Sequence, residues 1–107
     1  MAVENSAKVL KWKPLVEKHP DNELARYSLA SAYFDERRFA EAEPHFARAL
    51  ELKPDWVMAC ILRARCLIEL GRVDEARPLL ARGRELSIQQ RHQSPVEEID
   101  AILAELP

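Results

Sequence analysis

The chain has 107 residues, 48% of them apolar and 32% charged, which is enough for one domain with a modest core. Its 16 basic and 18 acidic residues leave a net charge of −2, so no overall field draws it to nucleic acid or acidic lipid, and no apolar run approaches the ~20 residues of a membrane span. Met1 to Asn5 is polar, carries Glu4 and lacks the basic start and apolar stretch of a secretory leader, so a cytoplasmic location is expected.

Only two glycines occur, Gly71 and Gly83, among many Ala, Leu, Glu and Arg, which lose little rotamer freedom in a helix. Lys8 to Pro20 is a first helical segment, with Trp12 as its large apolar residue and Pro14 where the helix should kink or start. Asp21 and Asp55 each follow a proline, Pro20 and Pro54, and each is placed to cap a helix N-terminus. The helices they open run to about Glu36 and Leu70. Gly71 suits a left-handed C-cap, and Arg37 holds the same place in the first unit, at ~1 kcal/mol if it too is left-handed. Second helices start near Phe39 and Val73 and end near Leu52 and Leu86. Pro44 and Pro78 fall early in them, where proline costs less than in mid-helix. Ile88 to Gln93 is expected to be a connecting loop. Ser94-Pro95-Val96-Glu97 then reads as a capping box with Ser94 as N-cap. It opens a closing helix whose apolar stripe is Val96, Ile99, Ile102, Leu103 and Leu106, with Glu98, Asp100 and Glu105 facing away.

Sliding the chain against itself by 34 residues lays Asp21–Pro54 over Asp55–Ile88. Eleven pairs are identical, against roughly two or three from composition. Eight of the eleven fall between positions 38 and 52, as one shared structural unit would give. Ala30, Ala42 and Ala49 match Ala64, Ala76 and Gly83, all small, so paired helices can approach closely. Between them Tyr33, Phe39, Phe46 and Leu52 match Leu67, Val73, Leu80 and Leu86, large residues that interlock with the small ones.

These residues carry a resemblance to the tetratricopeptide repeat family. Leu29, Ala30, Tyr33, Ala42, Phe46, Ala49 and Pro54 stand at the family spacings, followed in the second unit by Ala64, Leu67, Gly71, Ala76 and Leu80. Arg63 departs from the pattern where a buried leucine is usual, and Ile88 replaces the closing proline. The resemblance is to small bacterial-type members with two repeats and a C-terminal capping helix. It implies an all-α fold of antiparallel helical hairpins stacked as a short solenoid. One domain is expected over 1–107: a partial repeat helix at 8–20, repeats at 21–54 and 55–88, and the capping helix at 95–106, which shields the last repeat's core.

No catalytic constellation is visible: no phosphate loop, no paired-cysteine motif, no nucleophile elbow. No catalytic residue, cofactor or metal is therefore expected. Cys60 and Cys66 point to different faces of one helix and read as small buried apolar residues. Glu41 and His45, at i and i+4, have a spacing that could hold a metal, but more often form a surface contact. His19 and His92 lie in turns without a nucleophile or carboxylate partner. Arg63, Arg65, Arg72, Arg77, Arg82 and Arg84 cluster in the second unit. They form either a solvated surface balanced by Glu69, Asp74, Glu75 and Glu85, or a grip for an acidic peptide. Some family members hold C-terminal carboxylates with Lys and Asn on the first helices; Tyr27 and Ser31 occupy those places here, so that binding is not expected.

The family's first helices line a concave groove. On them, Leu24, Tyr27, Ser31 and Phe34 form one stripe, and Met58, Ile61, Arg65 and Ile68 its equivalent. Rimmed by Arg65, Asp35 and Glu69, this face is the expected site for a helix or extended peptide of a partner protein, unless Trp12, the N-terminal segment or a second copy covers it. The leading expectation is a protein-binding scaffold; the alternative is a self-association module, such as a homodimer or part of a larger assembly. Neither nucleic acid nor membrane is an expected partner.

Overall fold

The computed structural model describes residues 4–107, so Met1–Val3 of the N-terminal stretch read above lie outside the described residues. It contains six helices: α1 (Ala7–Lys18), α2 (Glu23–Asp35), α3 (Phe39–Leu52), α4 (Val57–Glu69), α5 (Val73–Gln89) and α6 (Gln93–Glu105). There is no strand among the described residues, so the fold is all-helical. Each helix packs on the next, most extensively within the hairpins α2/α3 and α4/α5, and α4 also touches α6. None of the helices is long and apolar enough to cross a membrane.

The small residues make the hairpins. Ala30, Ala42, Ala49, Ala64 and Ala76 are all fully buried. At Gly83 even an added Cβ would come within 3.3 Å of Ile99 Cδ1 and 3.4 Å of Cys60 Cβ, so its missing side chain lets α6 close on α5. The repeated charges have a local role. Arg38 grips Glu41 (2.7 and 2.8 Å) as Arg72 grips Glu75 (2.6 and 2.8 Å). Arg48–Glu51 (2.8 Å) recurs more loosely as Arg82–Glu85 (3.8 Å). All four are i, i+3 pairs along a helix. Arg63, the departure from the family pattern, has a partner as well: its Nε donates to Glu43 Oε1 at 3.0 Å across α3 and α4, and Glu43 is itself buried.

Several expected helix ends are corrected. Asp21 and Asp55 are not N-caps. Asn22 N–H donates to His19 O, and Trp56 N–H to Lys53 O, so Pro-Asp forms the middle of a turn and each helix begins two residues later. Asn22 caps α2, its Oδ1 accepting from Ala25 N–H at 2.9 Å. Trp56 sits at the α4 cap without a side-chain bond. Pro14 lies inside a continuous α1, next in the chain to other exposed residues, and Leu10, whose carbonyl it leaves unbonded, is exposed to water.

The expected loop from Ile88 to Gln93 is mostly helix. Pro54 stops α3 after Leu52, but Ile88 stands in its place in the second unit, and α5 runs on to Gln89. It ends by turning left-handed at Arg91 (φ 59°), with His92 N–H donating to Ser87 O at 2.8 Å. That is the closure used at Arg37 (φ 59°) and Gly71 (φ 77°) between the helices of each hairpin. Because the turn ends at His92, α6 starts at Gln93, and Ser94 and Pro95 lie in its first turn; Ser94 is not the N-cap.

Candidate functional site

The eight stripe residues do not share one environment. Leu24 (58% exposed) and Met58 (38%) lie open at the N-terminal ends of α2 and α4. Tyr27 is half-buried, stacked on Trp56 at 4.3 Å and edge-on to Phe46 at 5.7 Å. Burial pushes its hydroxyl above the ordinary pKa, against a hydrogen bond with Ser31 that pulls it down. Ile61 is fully buried in the second core cluster and has no surface to offer a partner, so it leaves the candidate face. Trp12 packs into the first core cluster.

Phe34, Arg65 and Ile68 come together, in a groove of about 640 Å³ between the C-terminal ends of α2, α4 and α6. Phe34 is held by edge-on contacts with Phe39 (5.5 Å) and Phe46 (6.4 Å). Ile102 of α6 and Leu106, the residue after its end, line the groove with Ile68 and complete the apolar floor. The apolar stripe of α6 reads in the sequence only as a shield for the last repeat, so this wall is not legible there, and Glu98, Asp100 and Glu105 are expected to face away from the body. Instead Glu98 accepts from Arg65 Nη2 at 2.9 Å, Asp100 from Arg84 at 2.8 Å, and Glu105 lines the groove.

The charges of the groove are asymmetric. Asp35, Glu69 and Glu105 are the last residues of α2, α4 and α6, and all three line it. None of these helices has a basic residue in its last turn. The carbonyl ends of three helix dipoles and three carboxylates therefore gather at one place, although a carboxylate at a helix C-terminus is unfavourable. Arg37 reaches Glu69 only at 3.9 Å, and Lys8 reaches Asp35 at 3.3 Å, all four groups largely exposed. The signal was in the sequence: an acid at the end of each such helix, where the dipole prefers a base.

The arginine cluster is turned onto the chain itself. Arg63, Arg65, Arg72, Arg82 and Arg84 pair with Glu43, Glu98, Glu75, Glu85 and Asp100, and Arg77 donates to the Pro107 carbonyl. Each of these six guanidiniums therefore has a partner within the chain. His45 is occupied too: Arg26 bonds its Nδ1 at 3.1 Å and Tyr33 stacks on its ring at 5.9 Å. Burial, then Arg26, holds its pKa below the ordinary value. Cys60 and Cys66 are buried thiols, as expected; burial, helped by Glu43, pushes Cys66 up to about 12. Among the described residues no three metal-binding side chains cluster.

The tetratricopeptide repeat family model matches residues 33–87. No curated protein matches the chain. Among solved structures, MamA of AMB-1 is 30% identical over 74% of this chain, with a TM-score of 0.70. The chain spans only 43% of MamA. The TPR2B-domain:pHsp70 complex of yeast Sti1 is 24% identical, covering 87% of this chain and 74% of that one at a TM-score of 0.78. Protein BPP2914 of Bordetella parapertussis, solved in solution, is 24% identical over 92% of this chain and 86% of its own, also at 0.78. The last two likenesses are of fold.

Proposed function

The chain belongs to the tetratricopeptide repeat family, and from that premise we propose that it is a protein-interaction module whose recognition face is the groove between α2, α4 and α6. The occupant is a short segment of a partner protein carrying bulky apolar side chains. The observation that carries this reading is the apolar floor of Phe34, Ile68, Ile102 and Leu106, open to solvent inside a charged rim. Arg65, fixed by Glu98, and Ser31 belong to the same face. Leu24, Tyr27 and Met58 continue the stripe toward the other end, outside the groove, and add at most secondary contacts. The working unit is the whole domain: partial helix 8–20, repeats 21–54 and 55–88, and closing helix 95–106, whose Ile102 and Leu106 serve the groove as well as the core. The yeast Sti1 domain, solved as a complex with pHsp70, supports the general mode but not the same ligand, since its identity to this chain supports the fold alone.

The test compares proteins captured from the source cell by the wild type and by an Ile68→Ser, Ile102→Ser variant that still melts cooperatively. A partner retained by the first and lost by the second, and bound in calorimetry by the first alone, is the expected result. A partner bound equally by both would remove the groove from the account. Self-association is a second reading, favoured by the exposure of Leu10 and Leu15 on α1, which packs mainly on α2. Light scattering at rising concentration tests it; a constant monomer mass would dismiss it.

A further inference from the structure

We infer that the groove selects a basic partner segment: one or two bulky apolar side chains with Lys or Arg beside them. The inference rests on the groove being the recognition face and adds the charge of what fills it.

The floor alone accepts any apolar side chain; the rim decides among them. Asp35, Glu69 and Glu105 stand at the ends of three helices whose carbonyl dipoles add to their negative charge. Two arginines also line the groove, but Arg65 is bonded to Glu98 at 2.9 Å and Arg37 sits 3.9 Å from Glu69. The ion pairs around the groove are Lys8–Asp35, Arg37–Glu69 and Arg65–Glu98, and none of them uses Glu105. Counting these groups, four carboxylates face three cations, before the helix ends are added. Lys8 and Arg37 are 71% and 76% exposed, so a ligand cation can replace either at little cost.

The arrangement is locally unfavourable in three helices at once. Sequences break such rules where a site needs it. A lysine or arginine entering the groove relieves the repulsion among the carboxylates and stands at the negative ends of the helix dipoles, whereas an acidic side chain adds to both penalties. The cation attraction is partly exposed, so it falls as salt rises.

The probe is a set of synthetic 12-residue peptides with one apolar centre, Leu and Phe, flanked by Lys, by Ser or by Glu. Binding is read by calorimetry and by backbone-amide shifts of the full chain, at two salt concentrations. The Lys-flanked peptide should bind about two- to five-fold tighter than the Ser-flanked one for each exposed pair it gains, move amides around Phe34, Ile68 and Glu105, and lose its advantage in 0.5 M salt. A triple variant, Asp35→Asn, Glu69→Gln, Glu105→Gln, should bind the Lys- and Ser-flanked peptides alike while keeping its amide spectrum. Equal binding of Lys- and Ser-flanked peptides in the groove of the wild type would overturn the charge preference and leave the groove reading standing. Tighter binding of the Glu-flanked peptide would reverse it. Shifts confined to Leu24 and Met58 would sink both. Concentration-dependent mass of the chain alone, with the same groove amides moving, would assign the groove to a second copy instead of a partner.

Discussion

The two hairpins share a skeleton and differ in filling. Both have buried small residues at matched positions and the same i, i+3 ion pairs. The core around the first is aromatic: Tyr27, Phe34, Phe39 and Phe46 meet edge-on, and Trp56 stacks on Tyr27 from the following turn. Past Trp56 the chain has no aromatic residue, and the second core is Leu, Ile, Val, Ala and Cys. The skeleton sets helix spacing, so it must repeat; the filling need only match in volume, so it can drift. Where the skeleton itself drifts, at Ile88, the geometry changes: a helix three residues longer and a new left-handed turn at Arg91.

The largest expected effect contrasts the two fillings. Phe46→Ala should cost ~3 to 5 kcal/mol, and Leu80→Ala, its equivalent, toward the lower part of ~2 to 5, because Phe46 also loses its ring contacts with Tyr27 and Phe34. Urea midpoints decide it. Equal losses would mean that the aromatic cluster adds nothing beyond volume.

Next comes the lost proline. Ile88→Pro puts proline inside α5, where it breaks a helix hydrogen bond, and should cost about 3 kcal/mol. A smaller loss, with α6 amides shifted, would show that the second unit can revert to the turn at Pro54.

The paired turns give opposite signs. Arg37→Gly should stabilise by up to about 1 kcal/mol, less the contact of Arg37 with the Phe39 ring, and Gly71→Ala should destabilise by about 1. Thermal melts of the two variants should move in opposite directions, and movement in the same direction would contradict the left-handed assignment.

The smallest effect is in pH. His45 has no counterpart in the second hairpin, where Leu79 stands. Its folded pKa is depressed by burial and by Arg26, so the unfolded chain takes up the proton first. Stability should fall as pH drops below 6.5 toward the folded value, then level off for this group. His45→Leu should flatten that window in melts from pH 7.5 downward; an unchanged slope would remove His45 from the account.

The sequence showed the hairpins because small and large residues recur at fixed spacing and leave little freedom in how helices pair. It misplaces ends where one residue arbitrates: Pro-Asp reads as a cap but forms a turn, and the stretch after Ile88, where the proline is missing, reads as a loop but is mostly helix. Half of the groove was legible, as Phe34, Arg65 and Ile68 on two aligned stripes. The other half was not, because Ile102, Leu106 and Glu105 join it through the rotation of α6, which a turn at Arg91 sets. Ile61 was lost from the face for a similar reason, since the stripe dips into the core midway.

The central claim is that recognition occurs at the acid-ended groove and not at the open N-terminal end of the same stripe. Calorimetry of the Lys-flanked peptide against Ile68→Ser and Met58→Ser, each shown folded by its melt, tests it most directly. Ile68→Ser should lose about ten-fold or more and Met58→Ser should change little. Weakening by Met58→Ser with Ile68→Ser unaffected would contradict it.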